Sequence, residues 1–235
     1  MPRIRAVLFD LGGTLVDERN YAGWVELART CCLDVDPDAL ARAFVEVEQE
    51  FDEAPPAGAP GATRLNFWRA TLSRATERDV GDATAKRFLT AVRTTDDQPY
   101  PLFSDARRCL ERLRGERRKL AVVSNSTSEA RVRWILDRAG IVDYFARVVS
   151  SGTEGVAKPD PEIFRRAVGR LHVRPDEAFY VGNLANTDAR AARSAGLHSV
   201  WLNRDGTGFG SDPPEITSLL EVPLCVRLIE AGSSL

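Results

Sequence analysis

Five short apolar runs, each closed by a polar residue or a glycine, recur along this chain, and that punctuation constrains the fold more than any other feature. Ile4 to Phe9 ends at Asp10 with Gly12 and Gly13 behind it, and Leu120 to Val123 ends at Ser124 and Asn125. Arg147 to Val149 ends at Ser150, Ala178 to Val181 at Gly182 and Asn183, and His198 to Leu202 at Asn203. Uniformly apolar runs this short read as strands buried on both faces, unlike the alternating pattern of a half-exposed antiparallel strand.

Helical patterns lie between them. Glu129 to Ala139 is introduced by Ser126 and Glu129 at capping-box spacing and stopped by Gly140. Pro161 to Leu171 opens with a proline suited to a first helical turn, and Asp188 to Ala195 closes before Gly196. Strands alternating with helices predict an α/β fold, a doubly wound, mostly parallel sheet covered on both faces. In such sheets ligands sit beyond the carboxyl ends of the strands, where Asp10, Ser124, Asn183 and Asp188 fall.

From Glu18 to Asp97 the alternation stops. Trp24 to Cys32, Ala39 to Phe51 and Leu65 to Ala75 are helical patterns without intervening strands. The expected organisation is therefore an α/β core of residues 1–17 and 98–235, interrupted by a helical domain of residues 18–97. Ala54 to Thr63 (APPAGAPGAT) reads as a loop within that insert and Gln98 to Ser104 as the hinge returning to the core. Trp24, Phe67 and Trp68 have the spacing of core aromatics, and Arg29, Arg42, Arg64 and Arg69 read as solvated. Asp17 reads as a cap or bridge at the outgoing hinge.

Composition removes several functional classes. With 32 basic and 34 acidic residues the net charge is −2, so no basic field points to nucleic acid or an anionic membrane. No apolar run approaches the roughly 20 residues that cross a bilayer, and Met1-Pro-Arg leads into a strand, so the chain reads as cytoplasmic. Cys31, Cys32, Cys109 and Cys225 lack CxxC spacing and read as buried free thiols. The two histidines, His172 and His198, give no zinc motif and no triad.

The chemistry concentrates at the strand ends. Asp10, just past a buried strand and followed by glycines, is a carboxylate that can attack phosphorus or carbon, although Asp beside Gly is also ordinary turn chemistry. Ser124, Lys158 in AKPDP, and Asn183 with Asp188 in VGNLANTD supply a hydroxyl, an ammonium and oxygen donors at comparable places. A hydroxyl and an ammonium on one phosphoryl group would hold its oxygens and balance charge in the transition state. Only Lys86, Lys119 and Lys158 among the 32 basic residues are lysines, so a compact point charge at Lys158 stands out against a general preference for arginine.

In this order AVLFDLGGTLVD, VVSNS, AKPDP and YVGNLANTDARAARSAGL resemble the four motifs of the haloacid dehalogenase superfamily, over nearly the whole chain. Pro101 to Leu113 looks like that family's return from cap to core, and VWLNR with EITSLLEV like its closing strands and final helix. The resemblance implies a phosphatase-type hydrolase acting on a small phosphorylated metabolite, with Asp10 as nucleophile forming an aspartyl-phosphate. It implies that Ser124, Asn125 and Lys158 bind the transferring group and that the helical insert is a cap. It also implies magnesium, held by Asp10, the Gly12 carbonyl, Asn183 and Asp188.

Two positions depart from the family pattern. Gly12 stands where its phosphatases carry the aspartate that protonates the leaving group, help typically worth about 10²–10⁴ in rate. Gly12 alone therefore predicts a preference for substrates with good leaving groups. Asn183 stands where the fourth motif opens with an aspartate, which lowers the charge available to magnesium. Displacement at carbon suits both losses, yet Gly12 is not the tyrosine that haloacid dehalogenases show there. A non-catalytic module binding a phosphorylated ligand or a protein is the third reading.

Overall fold

A computed structural model describes residues 3–54, 60–94, 100–204, 206 and 212–233, without side chains at 60–62 and 93. The chain divides into two compact units, Met1–Glu18 with Tyr100–Leu235, and Arg19–Pro99.

The first unit begins with β1 (Ala6–Phe9), a run with no exposed residue. After the second unit come α5 (Ala106–Gly115), β2 (Lys119–Ser124), α6 (Glu129–Arg138), β3 (Arg147–Ser150), α7 (Ser151–Glu154) and α8 (Pro161–Leu171). β4 (Ala178–Gly182), a π-helical turn Ala185–Arg190, α9 (Ala191–Ser194), β5 (His198–Leu202), β6 (Glu215–Ile216) and α10 (Val222–Glu230) complete it. The six strands pair in parallel in the order β3-β2-β1-β4-β5-β6. β1 lies at the centre where the winding direction reverses, the place at which doubly wound sheets open a crevice for ligands.

Alternation along each strand builds two cores from one sheet. Val7, Phe9, Leu120, Val122, Phe179 and Val181 pack on one face with residues of α5, α6 and α10. Ala6, Leu8, Ala121, Val123, Ala178 and Tyr180 pack on the other with residues of α8 and α9. Parallel strands buried on both faces need apolar residues at every position, which is why these runs were legible without periodicity.

The second unit is helical: α1 (Tyr21–Thr30), α2 (Pro37–Glu53), α3 (Pro60–Thr76) and α4 (Asp82–Thr94). Asn20 and Asp36 cap the first two through side-chain oxygens that accept from Gly23 N and Ala39 N. Trp24 and Trp68 are buried and meet edge to face with centroids 4.8 Å apart, and Phe44, Phe67 and Phe88 extend the cluster. This aromatic core follows the helical spacing of the sequence. Arg29 and Arg69 are half-exposed and pair with Glu26 and Asp82.

Four expectations need correction. Residues 60–63, read as loop, belong to α3, because Pro60 sits in a first turn where no amide donor is required; residues 55–59 lie outside the described residues, as do 98 and 99 of the hinge. The cap of α6 is Ser128, whose hydroxyl accepts from Arg131 N, and not Ser126. The predicted helix Asp188 to Ala195 starts earlier, as a π turn in which Ala189 N reaches back to Leu184 O. Cys32 is exposed, at the end of α1 with φ 62, while Cys31, Cys109 and Cys225 are buried.

Candidate active site

The loop after β1 folds back on itself before the chain leaves the sheet. Asp10 N donates to Val181 O, carrying the β1–β4 ladder one residue past the strand. Gly13 N donates to Val16 O, and Leu15 N and Val16 N both donate to Leu11 O. Gly13 holds φ +73, a left-handed conformation suited to glycine, and a Cβ there would come within 2.5 Å of Asn183 Nδ2. Residues 15–17 then pair antiparallel with 101–103 through Phe103 N to Leu15 O and Asp17 N to Pro101 O.

Arg204, past the end of β5, fastens this loop. Its guanidinium donates to Gly13 O and Thr14 O and makes two bonds to the Asp105 carboxylate, at 3.0 and 3.1 Å. Asp105 also accepts from Ser218 Oγ and Leu219 N. Burial alone would raise the Asp105 carboxyl, but the Arg204, Leu219 and Ser218 donors hold it below its ordinary value. Neither Arg204 nor Asp105 emerged as a site residue from the sequence, where each is one charge among many.

At the centre stands Lys158, 6% exposed. Its ammonium donates to Asp10 Oδ1 at 2.5 Å, Asp188 Oδ1 at 2.6 Å and the Tyr180 hydroxyl at 3.2 Å. The Tyr180 hydroxyl in turn donates to Asp188 Oδ1 at 2.8 Å, and Leu184 N donates to Asp188 Oδ2 at 3.1 Å. The π turn makes this possible by tucking Asp188 beneath the end of β4. Lys158 itself is aimed by Asn125, whose amide accepts from Lys158 N and donates to Lys158 O, each at 2.9 Å.

Two carboxylates and one ammonium in a buried place perturb one another. Burial pushes Asp10 up to about 7, with the Lys158 charge opposing and the Asp188 charge adding to the rise. Burial would lower Lys158, but the charges of Asp10 and Asp188 outweigh it and push the ammonium up to about 12. Burial, then the same two carboxylates, push the Tyr180 hydroxyl well above its ordinary range. The two carboxylates thus favour the charged form of Lys158 and the neutral form of Tyr180.

The remaining oxygen of Asp10 faces elsewhere. Thr14 Oγ1 lies 3.5 Å from Asp10 Oδ2 and 3.4 Å from Asn183 Oδ1, so two acceptors converge on one point. Trp201 Nε1 donates to Asn183 O and holds the start of that loop. The structure thus brings Asp10, Asn125, Lys158, Asn183 and Asp188 into one bonded network. Ser124 ends β2 at the same sheet end, two positions past the partner of Phe9, and joins by position and not by a hydrogen bond among the described residues. Tyr180 was not singled out beforehand, although a tyrosine in an otherwise apolar buried run needs a partner for its hydroxyl, a signal that could have found it.

Comparison with other proteins places the chain in a family. Residues 4–196 match the haloacid dehalogenase-like hydrolase family, and the chain belongs to that family of hydrolases. It is 33% identical over 168 residues to a phosphoserine phosphatase from Thermus thermophilus, a match spanning 69% of this chain and 66% of that protein. It is 27% identical over 210 residues to a glyceraldehyde 3-phosphate phosphatase from Pyrococcus furiosus, spanning 86% and 82%. The magnesium-bound HAD-hydrolase YfnB from Bacillus subtilis superposes with a TM-score of 0.73 at 19% identity, over 96% of this chain and 99% of that one. That last likeness concerns the fold alone. No helix among the described residues is long and apolar enough to cross a membrane.

Proposed function

We propose that this hydrolase is a magnesium-dependent phosphatase of small phosphorylated metabolites in which Asp10 forms an aspartyl-phosphate. The observation that carries the reading is Lys158, a buried ammonium 2.5 Å from one oxygen of a carboxylate at the switch point of the sheet. An ammonium so placed opposes the effect of burial on Asp10 and orients it, and it remains at hand for the oxygens of the transferring phosphoryl group. Ser124 and Asn125, at the end of β2, would bind the same group. Relatives that the sequence matches are named phosphatases of small metabolites, which supports the substrate class.

The donors fit magnesium in kind and fall short in charge. Asp10 Oδ2 and Asn183 Oδ1 converge, both are oxygen, and the Gly12 carbonyl lies on the same loop. Both oxygens of Asp188 already accept hydrogen bonds, and no group of three or more Asp, Glu, His or Cys that could hold a metal occurs among the described residues. Asp10, Gly12 and Asn183 would hold the ion, with Asp188 behind them, at lower affinity than a site with another carboxylate. When bound, the ion would supply charge to the transferring phosphoryl oxygens. The helical unit, inserted between Glu18 and Tyr100, takes the part of a substrate-selecting cap.

Halide displacement from carbon is the second reading, favoured by Lys158 bridging both carboxylates, since that chemistry needs no cation beyond the lysine. Phosphate and halide release from aryl, acyl and alkyl phosphates and short 2-haloacids, with and without magnesium, in wild type and Asp10→Asn, separates the two. Phosphate release that needs both Asp10 and magnesium bears out the proposal. Halide release without metal replaces it, and release of neither leaves a binding role.

A further inference from the structure

Gly12 lacks the carboxyl group that would protonate a departing alcohol, yet a carboxyl group stands at that place. A Cβ built on Gly12 would lie 2.5 Å from Glu18 Cδ and 3.0 Å from Glu18 Oε1, with Oε2 nearer still. No other heavy atoms come as close, so the end of the Glu18 side chain fills the space a side chain at position 12 would take. The reason is local. Val16 bridges back to Gly12, so the chain that follows runs past the Gly12 backbone, and Glu18, two residues on, lays its carboxyl group there. Gly12 is two residues from Asp10, and Glu18 is exposed, so its carboxyl group can meet an incoming substrate.

We propose that Glu18 is the general acid and base of this enzyme, replacing from six residues downstream the aspartate missing at position 12. The assignment rests on the phosphatase reading above. In the first step an Asp10 oxygen attacks phosphorus, the bond from phosphorus to the ester oxygen breaks, and the Glu18 carboxyl proton passes to that oxygen to release a neutral alcohol. In the second, the Glu18 carboxylate takes a proton from water as its oxygen attacks phosphorus. The bond to Asp10 then breaks, inorganic phosphate leaves, and both carboxyl groups return to their starting forms. Glu18 thereby removes the leaving-group restriction that Gly12 alone implies, and extends the substrate class to phosphates of ordinary alcohols.

The test compares kcat/KM for a primary alkyl phosphate and for an aryl phosphate, which departs without a proton, in wild type, Glu18→Gln and the double variant Gly12→Asp/Glu18→Gln. Gly12 has no left-handed φ, and the atoms nearest a side chain there belong to the end of the Glu18 side chain and not to backbone, so a shift of that end accommodates the aspartate. Glu18→Gln should lower the alkyl-to-aryl ratio by on the order of 10²-fold, and the double variant should recover most of it. A ratio unchanged in Glu18→Gln, with aryl turnover still dependent on Asp10, overturns the role of Glu18 and leaves the phosphatase standing, as does a wild type confined to aryl phosphates. A folded wild type that turns over neither substrate overturns both. Should the double variant fail to fold, the ratio in Glu18→Gln decides alone.

Discussion

Lys158 and Asp188 share a 2.6 Å contact in which neither side chain has more than a trace of exposed surface. Asp188 accepts from Tyr180 and Leu184 N as well, so it is fixed before it fixes the lysine. The pair is therefore a support for Asp10: Asp188 sets where the ammonium points, and the ammonium holds the Asp10 carboxylate.

Replacing Lys158 by methionine should abolish turnover and leave Asp10 and Asp188 without the charge between them. Removing one partner of a buried ion pair typically costs about 3–5 kcal/mol. The loss should grow as pH rises above about 7, where Asp10 of the folded wild type releases its proton while the same carboxyl group of the folded variant, without the opposing ammonium, retains it. Urea denaturation at several pH values checks this. Lys158→Arg should not restore turnover, since a planar guanidinium cannot reproduce three convergent bonds from one nitrogen.

Tyr180→Phe removes a hydroxyl that accepts from Lys158 and donates to Asp188 while leaving the ring packed edge to face on Phe164. Stability should fall by about 1.5–3 kcal/mol, the range for hydrogen bonds to charged groups. Turnover should fall by about tenfold through misdirection of Lys158, a barrier change of roughly 1.4 kcal/mol, with KM less affected than kcat.

Asp105→Asn tests the fastening of the loop that follows Asp10. At neutral pH the substitution should cost on the order of 1–2 kcal/mol, tempered by partial exposure. Asp105 is held below its ordinary 3.8, so the stability its charge contributes is present above that value and is lost as pH falls through the lower folded one. The difference between wild type and variant should therefore shrink below about pH 4, as denaturation curves would show.

Gly13→Ala places a methyl group on a residue at φ +73 and against the Asn183 amide. A cost of about 1 kcal/mol for the backbone alone is expected. Displacement of Asn183 should also raise the magnesium concentration needed for half-maximal turnover, which a metal titration measures.

The sheet was legible because its strands are buried on both faces and so had to be written almost entirely in apolar residues; His198 to Leu202 was read with the bounds it has. Candidate site residues stood out where they end such a run, as Asp10, Ser124 and Asn183 do. Asp188 was found through its motif, but the π turn that seats it leaves no composition signature. Arg204 and Asp105 meet from 99 positions apart, and nothing local to either marks the pairing. Glu18 is the clearest case: the role proposed for its carboxyl group depends on where the loop returns it, and the return path is set by hydrogen bonds of Leu11 and Gly13 with Val16 that no residue spacing announces.

The most direct measurement is acid quenching of the enzyme during turnover of an aryl phosphate with magnesium, followed by mass spectrometry of its peptides. The account requires one phosphoryl group, carried on the peptide containing Asp10 and absent from Asp10→Asn. A phosphoryl group on another residue, or rapid turnover in Asp10→Asn, would contradict it.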